Sequence, residues 1–219
     1  MRKVKIPEAT IRRLPVYLRE LDDLASNRVV VTSSADLALR TGFSSEQIRK
    51  DLTYFGAFGT RGVGYDTALL ANQIRRILRL NHGLKVAIIG AGNLGTALAR
   101  FSYEAHKDVS IGALFDADPA KVGEHIAGLT VQSMSDLAAV IHKEEIRVAV
   151  IAVPAMAAPE VLRRLAEAKV DAVLNFAPVK LSAPGVFVQN LDLTLELQSL
   201  AYYACGFSED CADRSAEED

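Results

Sequence analysis

Two kinds of hydrophobic spacing divide the chain near residue 82. Before it, apolar residues recur three and four apart, as in helices packed on a core; beyond it they form short unbroken runs between helical stretches, as in buried parallel strands. In the first part, Pro7 suits a first helical turn, and Ile11, Leu14, Leu18, Leu21 and Leu24 share one face of the helix that follows. Pro15 is expected to kink that helix. After the β-branched run Val29-Val30-Val31, Ser33 and Asp36 form an N-capping pair for a helix over about 34–40, and Gly42 supplies the turn. Ser44 with Gln47 caps the next helix, whose Ile48, Leu52 and Phe55 form a core-facing stripe. Residues 56–65 hold four glycines and read as a hairpin. Asp66 then caps a fourth helix, with Leu69, Leu70, Ile74, Ile77 and Leu78 inside and Arg75, Arg76 and Arg79 outside. These elements predict a winged helix-turn-helix domain over residues 1–80.

A hinge at 81–83 leads into strands predicted at 86–89, 109–115, 148–153, 172–176 and 186–189, with helices at 94–104, 135–142 and 158–168. Alternation of this kind implies a Rossmann domain over 84–191, a doubly wound parallel sheet. A helix over 192–205 follows, with Leu193, Leu197, Leu200 and Ala204 in one stripe that Leu195 and Tyr202 widen; such a helix needs a partner surface. Residues 208–219 hold six acidic residues against Arg214, so 206–219 read as an acidic disordered tail.

Charge sharpens the division. Residues 1–82 carry 14 Lys/Arg against 8 Asp/Glu, leaving 11 against 19 for the remainder, so only the first part is built for a polyanion. The chain of 219 residues has no apolar run of membrane-spanning length and no apolar signal core at its start, which predicts a cytoplasmic location and no membrane partner. Cys205, Cys211 and the four histidines do not fall into zinc-ligand spacing, so no metal is expected.

The basic part also has the chemistry of a nucleic-acid reader. Opposite its apolar stripe, the third helix carries Gln47, Arg49, Lys50, Thr53 and Tyr54, donors and acceptors suited to base edges and phosphates in a major groove. Ser33, Ser34 and Ser44 at the helix starts are further candidates. Gly59, Thr60, Arg61 and Gly62 form the hairpin tip, where Arg61 suits a narrow minor groove. A phosphate-binding P-loop is disfavoured because no Gly-Lys-Ser/Thr ending is present.

In the second part the motif Gly90-Ala91-Gly92-Asn93-Leu94-Gly95 lies between a predicted strand and helix, the context that gives Gly-x-Gly-x-x-Gly its meaning. Gly90 permits the tight turn, Gly92 lets backbone N–H groups reach a pyrophosphate, and Gly95 permits close helix-to-strand packing. Asp116 ends the second strand, where its carboxylate can accept adenosine ribose hydroxyls. Together with Asp118 it would repel a 2′-phosphate, so NAD(H) is expected over NADP(H). The loops with Val153-Pro154 and Asn175-Phe176-Ala177-Pro178 are candidates for the nicotinamide end.

Catalysis is not expected. The pair Tyr103 and Lys107 matches the Tyr-x-x-x-Lys spacing of short-chain dehydrogenases, but it lies at the far end of the first Rossmann helix, away from the strand C-termini. An NAD-dependent oxidoreductase and a CoA-binding, ligase-subunit-like module are the alternatives, and the basic head argues against both.

Taken together, Arg49-Lys50-Asp51-Leu52-Thr53-Tyr54-Phe55-Gly56, Gly59-Thr60-Arg61-Gly62-Val63-Gly64-Tyr65, the glycine motif and Asn175-Phe176-Ala177-Pro178 resemble the Rex family of redox-sensing transcriptional repressors over roughly residues 4–205. The resemblance implies a homodimer that binds an inverted-repeat operator in double-stranded DNA while NAD+ dominates and releases it when NADH accumulates. It further implies that the last helix is exchanged between subunits, and that residues matching Arg19, Phe101 and Asp192 form a switchable polar network. Phe101 stands where some relatives have tyrosine, so it lacks the hydroxyl they offer.

Overall fold

A computed structural model describes residues 6–56, 59–60, 62–100 and 108–205 of the chain. These fall into two compact units, 1–83 and 84–219.

The first unit is helical with a small sheet. Helix α1 (Glu8–Ser26) starts at Pro7, which occupies the capping position, and it runs through Pro15 without interruption. Pro15 can offer no N–H to the carbonyl of Ile11, but both residues lie on the exposed face, where water can replace the lost bond. The buried face carries Leu14, Tyr17, Leu18, Leu21 and Leu24, while Ile11 is exposed, so the stripe begins one turn later than its spacing suggests. Of the valine run only Val31 enters strand β1 (Val31–Thr32). Helix α2 (Ser34–Thr41) begins with a complete capping box between Ser33 and Asp36 and ends at Gly42 in the left-handed region, φ 75°. Helix α3 (Ser45–Thr53) buries Ile48 and Leu52, with Phe55 packed beside them. Strand β2 (Tyr65–Asp66) pairs antiparallel with β1. Helix α4 (Thr67–Ile77), capped by Asp66, buries Leu70, Ala71 and Ile74. Leu69, expected inside, is exposed, and Arg75, expected outside, is half-buried and bonds Asp22 of α1 at 2.6 Å.

The second unit is a seven-stranded sheet in the order β5-β6-β4-β3-β7-β8-β9. Its parallel strands are β3 (Leu84–Ile89), β4 (Val109–Asp116), β6 (Leu129–Ser133), β7 (Val148–Ile151), β8 (Ala172–Asn175) and β9 (Phe187–Asn190); β5 (His125–Ile126) joins β6 antiparallel. The hairpin β5–β6 is absent from the hydrophobic pattern described above. Its two-residue turn, Ala127-Gly128, has φ of 52° and 78°, a type I′ geometry that Asn-Gly would have signalled and Ala-Gly conceals. Helix α5 (Asn93–Arg100) follows the glycine motif, and α6 (Leu137–Lys143) is preceded by a single 3₁₀ turn at Met134–Asp136. Helix α7 (Ala158–Glu167) lies between β7 and β8. Separate apolar clusters cover the two faces of the sheet: Phe115, Ile151, Leu137 and Leu165 belong to one, Ile88, Leu114 and Val131 to the other. Sheet order reverses direction at β3 and β7, which places a crevice outside their C-terminal ends.

Helix α8 (Leu193–Cys205) differs from the rest. Leu193, Leu195, Leu197, Leu200, Tyr202 and Tyr203 are all 56–77% exposed, so its apolar surface has little cover among the described residues. The acidic tail, 206–219, lies outside the described residues, as do the Tyr103–Lys107 pair and Phe101.

Ala127 holds a left-handed backbone without the glycine or asparagine that tolerates it, at a cost on the order of 1 kcal/mol. Ala127→Asn is expected to raise the calorimetric melting temperature of the second unit by a few degrees; an unchanged or lower value would show that the turn carries no such strain.

Candidate functional site

In the first unit the position of α3 is governed by a buried carboxylate. Thr10, Arg13 and Tyr17 recur three and four apart on α1 and so share the face that meets α3. All three donate to Asp51, which is fully buried: Thr10 Oγ1 at 3.0 Å to Oδ1, Arg13 Nε at 2.6 Å to Oδ2 and Nη2 at 2.8 Å to Oδ1, and the Tyr17 hydroxyl at 2.8 Å to Oδ2. Gln47, one turn earlier on α3, adds Nε2 at 2.9 Å to Oδ1. Burial alone would raise the Asp51 carboxyl, but the donors of Arg13, Tyr17, Thr10 and Gln47 outweigh it and hold it below the usual carboxylate range. Burial and the adjacent carboxylate push the Tyr17 hydroxyl the other way, well above its usual range. The Arg13 guanidinium also lies over the Phe43 ring, 5.8 Å from its centroid.

Around this anchor the candidate DNA-facing residues divide into two groups. Ser33, Ser34, Arg49, Thr53, Gly59, Thr60 and Gly62 line one groove of about 580 Å³ between the start of α2, the length of α3 and the hairpin. Arg49 is held there by Nη1 donating to Ser34 Oγ at 2.8 Å. Ser44, Gln47, Lys50 and Tyr54 are not on that groove. Ser44 accepts the Gln47 amide and caps α3; Lys50 is exposed; Tyr54 ends the helix. The hairpin closes by paired backbone bonds between Thr60 and Gly64, at 3.0 and 3.1 Å. Its base requires glycine, because a Cβ on Gly64, at φ 106°, would stand 2.4 Å from the Thr32 carbonyl oxygen. Arg61 lies outside the described residues.

In the second unit the glycine motif forms the turn from β3 into α5. Gly90 has φ 106°, and a Cβ there would stand 2.4 Å from the Ala152 carbonyl oxygen and 3.0 Å from Val153, so the loop after β7 presses on the turn. A Cβ on Gly95 would fall 1.7 Å from the Gly90 carbonyl oxygen, which brings α5 against the end of β3. Gly92 differs: a Cβ there would meet nothing within 4 Å. The space beside it is therefore open, next to the first-turn amides of Asn93, Leu94 and Gly95, which helix geometry leaves without an intrahelical acceptor.

Asp116 is tied into the same turn. Its Oδ2 accepts from the Ala91 amide at 2.7 Å and from Lys121 Nζ at 3.3 Å, and its Oδ1 accepts from the Asp118 amide at 2.9 Å. Burial opposes ionisation, but the Asp118 and Ala91 amides, joined by Lys121, hold the carboxyl below its usual range. A carboxylate offers about four acceptor sites, so capacity remains for a ligand hydroxyl.

Of the other candidates, Val153 and Pro154 reach the crevice end of β7. Asn175 is fully buried and clamps its own loop: Nδ2 donates to the Val179 carbonyl at 2.8 Å and to Asn190 Oδ1 at 2.9 Å, and Oδ1 accepts from the Ala177 amide at 3.0 Å. It shapes the Phe176-Ala177-Pro178 loop, in which Phe176 is half-buried, Ala177 buried and Pro178 exposed. Arg19 is exposed on α1, with Glu20 3.6 Å away, and Asp192 accepts the Thr194 amide at 2.9 Å at the start of α8. These two belong to different units and each is engaged locally.

Asp51, Arg13, Tyr17 and Lys121 were not singled out from the sequence. Asp51 left a signal: three residues after Ile48 and four before Phe55, a carboxylate at the edge of the apolar stripe must find donors. Among the described residues no group of three or more His, Cys, Asp or Glu could hold a metal ion, and no helix is long and apolar enough to cross a membrane.

A basic winged helix-turn-helix unit joined to a Rossmann unit with a phosphate-type glycine turn is the build of a ligand-responsive transcription regulator. A family model of a putative DNA-binding protein N-terminus matches residues 5–53, and one of a CoA binding domain matches residues 81–179. The redox-sensing transcriptional repressor Rex of Natranaerobius thermophilus is 52% identical over 90% of this chain and 91% of its own length, and that of Chloroflexus aurantiacus is 44% identical over 90% and 93%. A solved structure of RSP in complex with β-NAD+ and operator DNA superposes with TM-score 0.84 at 33% identity, covering 92% of this chain and 93% of that one. The chain belongs to the Rex family of redox-sensing transcriptional repressors.

Three outcomes follow from the site's packing. Asp51→Ala leaves Arg13, Tyr17, Thr10 and Gln47 without their acceptor and should cost the first unit about 3–5 kcal/mol in denaturant unfolding. The wild-type Asp51 contribution is present above the unfolded carboxyl value of about 3.9 and is lost as pH falls through its lower folded value. Acid unfolding should therefore be less steep in Asp51→Asn; an identical pH profile would exclude the proposed charge state. Gly95→Ala should destabilise the second unit itself, because the Gly90 backbone cannot yield; an unchanged melting temperature would contradict that packing.

Proposed function

We propose that this chain represses transcription from an inverted-repeat operator while NAD+ dominates, and releases the operator when NADH fills the Rossmann unit. Family membership carries this reading, and the open space beside Gly92 supports a dinucleotide there. The α5 amides would hold the pyrophosphate, Gly92 would admit it, and Asp116 would accept ribose hydroxyls. The loops at Val153-Pro154 and at Asn175-Phe176-Ala177-Pro178 would border the nicotinamide. Asp116 and Asp118 disfavour a 2′-phosphate, which keeps NAD(H) ahead of NADP(H) even with Lys121 nearby. A related solved structure of RSP holds β-NADH, with TM-score 0.78 at 32% identity.

On the DNA side, Arg49 and Lys50 would meet bases or phosphates from a major groove, while the hairpin with Arg61 would follow an adjacent minor groove. Ser33, Ser34 and Ser44 would place backbone contacts at the helix starts. The functional unit is a homodimer in the cytoplasm. The uncovered apolar surface of α8 supports a second copy of the chain as its cover, by exchange of the helix between subunits. Arg19 and Asp192 would then form the polar network that differs between the two ligand states, with Phe101 at the third position contributing no hydroxyl. No catalysis is assigned: the dinucleotide is a signal, and the Rex relatives are repressors.

The reading is tested by fluorescence anisotropy of a labelled inverted-repeat operator at fixed salt, titrated with NADH, NAD+ and NADPH. NADH alone should release the DNA, lowering affinity about 5–150-fold for a coupling of ordinary size. DNA binding that no dinucleotide alters would overturn the redox reading, and release by CoA instead would favour the CoA-module alternative. Gly92→Ala should fold as wild type, because its Cβ meets no protein atom, yet lose NADH binding and NADH-driven release. Undiminished NADH binding in that variant would place the pyrophosphate elsewhere.

A further inference from the structure

The first turn of α3 carries an oriented amide whose chemistry is more specific than a polar side chain on a helix. Gln47 is the third residue of α3, in the part of a recognition helix that meets base edges. Ser44 accepts the Gln47 amide at 3.1 Å, yet the Gln47 side chain does not return the bond that a full capping box would make. It turns instead along the helix to Asp51, donating from Nε2 at 2.9 Å. A carboxylate only accepts, so the amide can sit one way round, nitrogen toward Asp51. Asp51 is itself immobilised by Thr10, Arg13 and Tyr17, so that orientation is held by the core. Oε1 of Gln47 has no protein partner among the described residues, and the side chain is half-exposed.

We infer that Gln47, oriented by Asp51, is a specificity-determining residue that presents Oε1 as an acceptor to the exocyclic amino group of an adenine or cytosine in the operator's major groove. The amino groups are N6 of adenine and N4 of cytosine; guanine and thymine offer only acceptors and a methyl group at that edge. Adenine is the better fit, because the second N–H on Nε2 can donate to its N7. The inference rests on the operator-binding reading above and deepens it by assigning one base contact. Asp51 touches no DNA in this scheme; it is a positioning residue.

The experiment uses the full chain with NAD+ and a pool of duplexes bearing randomised inverted repeats, followed by affinity measurements on single-base variants of the selected sequence. Wild type should prefer adenine or cytosine over guanine or thymine at one symmetry-related position of each half-site, by on the order of tenfold. Gln47→Met, which keeps the length and removes the acceptor, should flatten the preference at that position alone and leave NADH affinity unchanged. Asp51→Asn should weaken the same preference. A Gln47→Met protein with an unchanged base profile, or with a uniform loss on every duplex, would overturn the inference while leaving operator binding intact. Failure of wild type to enrich any duplex would overturn operator reading itself, and this inference with it.

Discussion

The Asp51 carboxylate is the constraint on which the first unit depends. Removing a charge from water costs several kcal/mol, and that cost is met here by donors from a second helix and from one turn earlier on its own. Leu14 and Tyr17 share one apolar core with Ile48 and Leu52, but apolar burial is non-directional. The bidentate bond from Arg13 and the single bonds from Thr10 and Tyr17 set the rotation of α3 about its axis. That rotation decides which residues of α3 face outward. With it set, Arg49 meets Ser34 and the groove toward the hairpin takes shape. Tyr17 and Arg19, two residues apart on α1, point in nearly opposite directions around the helix. One face of α1 therefore grips the recognition helix while the other is exposed, so any displacement of α1 carries α3 with it.

A second carboxylate has a comparable task in the Rossmann unit. Asp116 receives the Ala91 amide and so connects the end of β4 to the glycine turn after β3, neighbouring strands whose C-terminal ends border the crevice. Gly90 and Gly95 are glycines for reasons of protein packing, against Ala152 and against each other, whereas Gly92 faces open space. Three glycines of one motif thus divide between building the turn and leaving it accessible. Asn175 and Asn190 do the corresponding work at the end of β8, where the buried amide of Asn175 and the half-buried one of Asn190 fix the loop that includes Pro178.

Much of this architecture was legible in the residue pattern. The caps at Ser33, Ser44 and Asp66 are local chemistry between residues three apart, and each is present. The buried part of β3 announces itself by the unbroken apolar run 86–89. What escaped depends on partners distant in sequence or on concealed turns. Asp51 bonds residues 34 to 41 positions away, so spacing could show only that it needed donors. The β5–β6 hairpin turns on Ala127, a residue with no turn signature. Pro15 does not break α1, because on the solvent face the Ile11 carbonyl that it leaves without a donor is open to water. Leu69 matched the apolar period of α4 and is nonetheless exposed, because periodicity assigns a face without saying how wide the covering surface is.

The central claim is that dinucleotide binding and operator binding are two readouts of one conformational equilibrium. Linkage then requires the operator to weaken NADH binding by the same factor by which NADH weakens operator binding. The direct test is a titration of NADH, followed by its own fluorescence, against the full-length protein with and without saturating operator at one salt concentration. An increase in the NADH dissociation constant matching the NADH-induced loss of operator affinity is the expected result. An NADH affinity indifferent to operator would show that the two units act independently and would contradict the account.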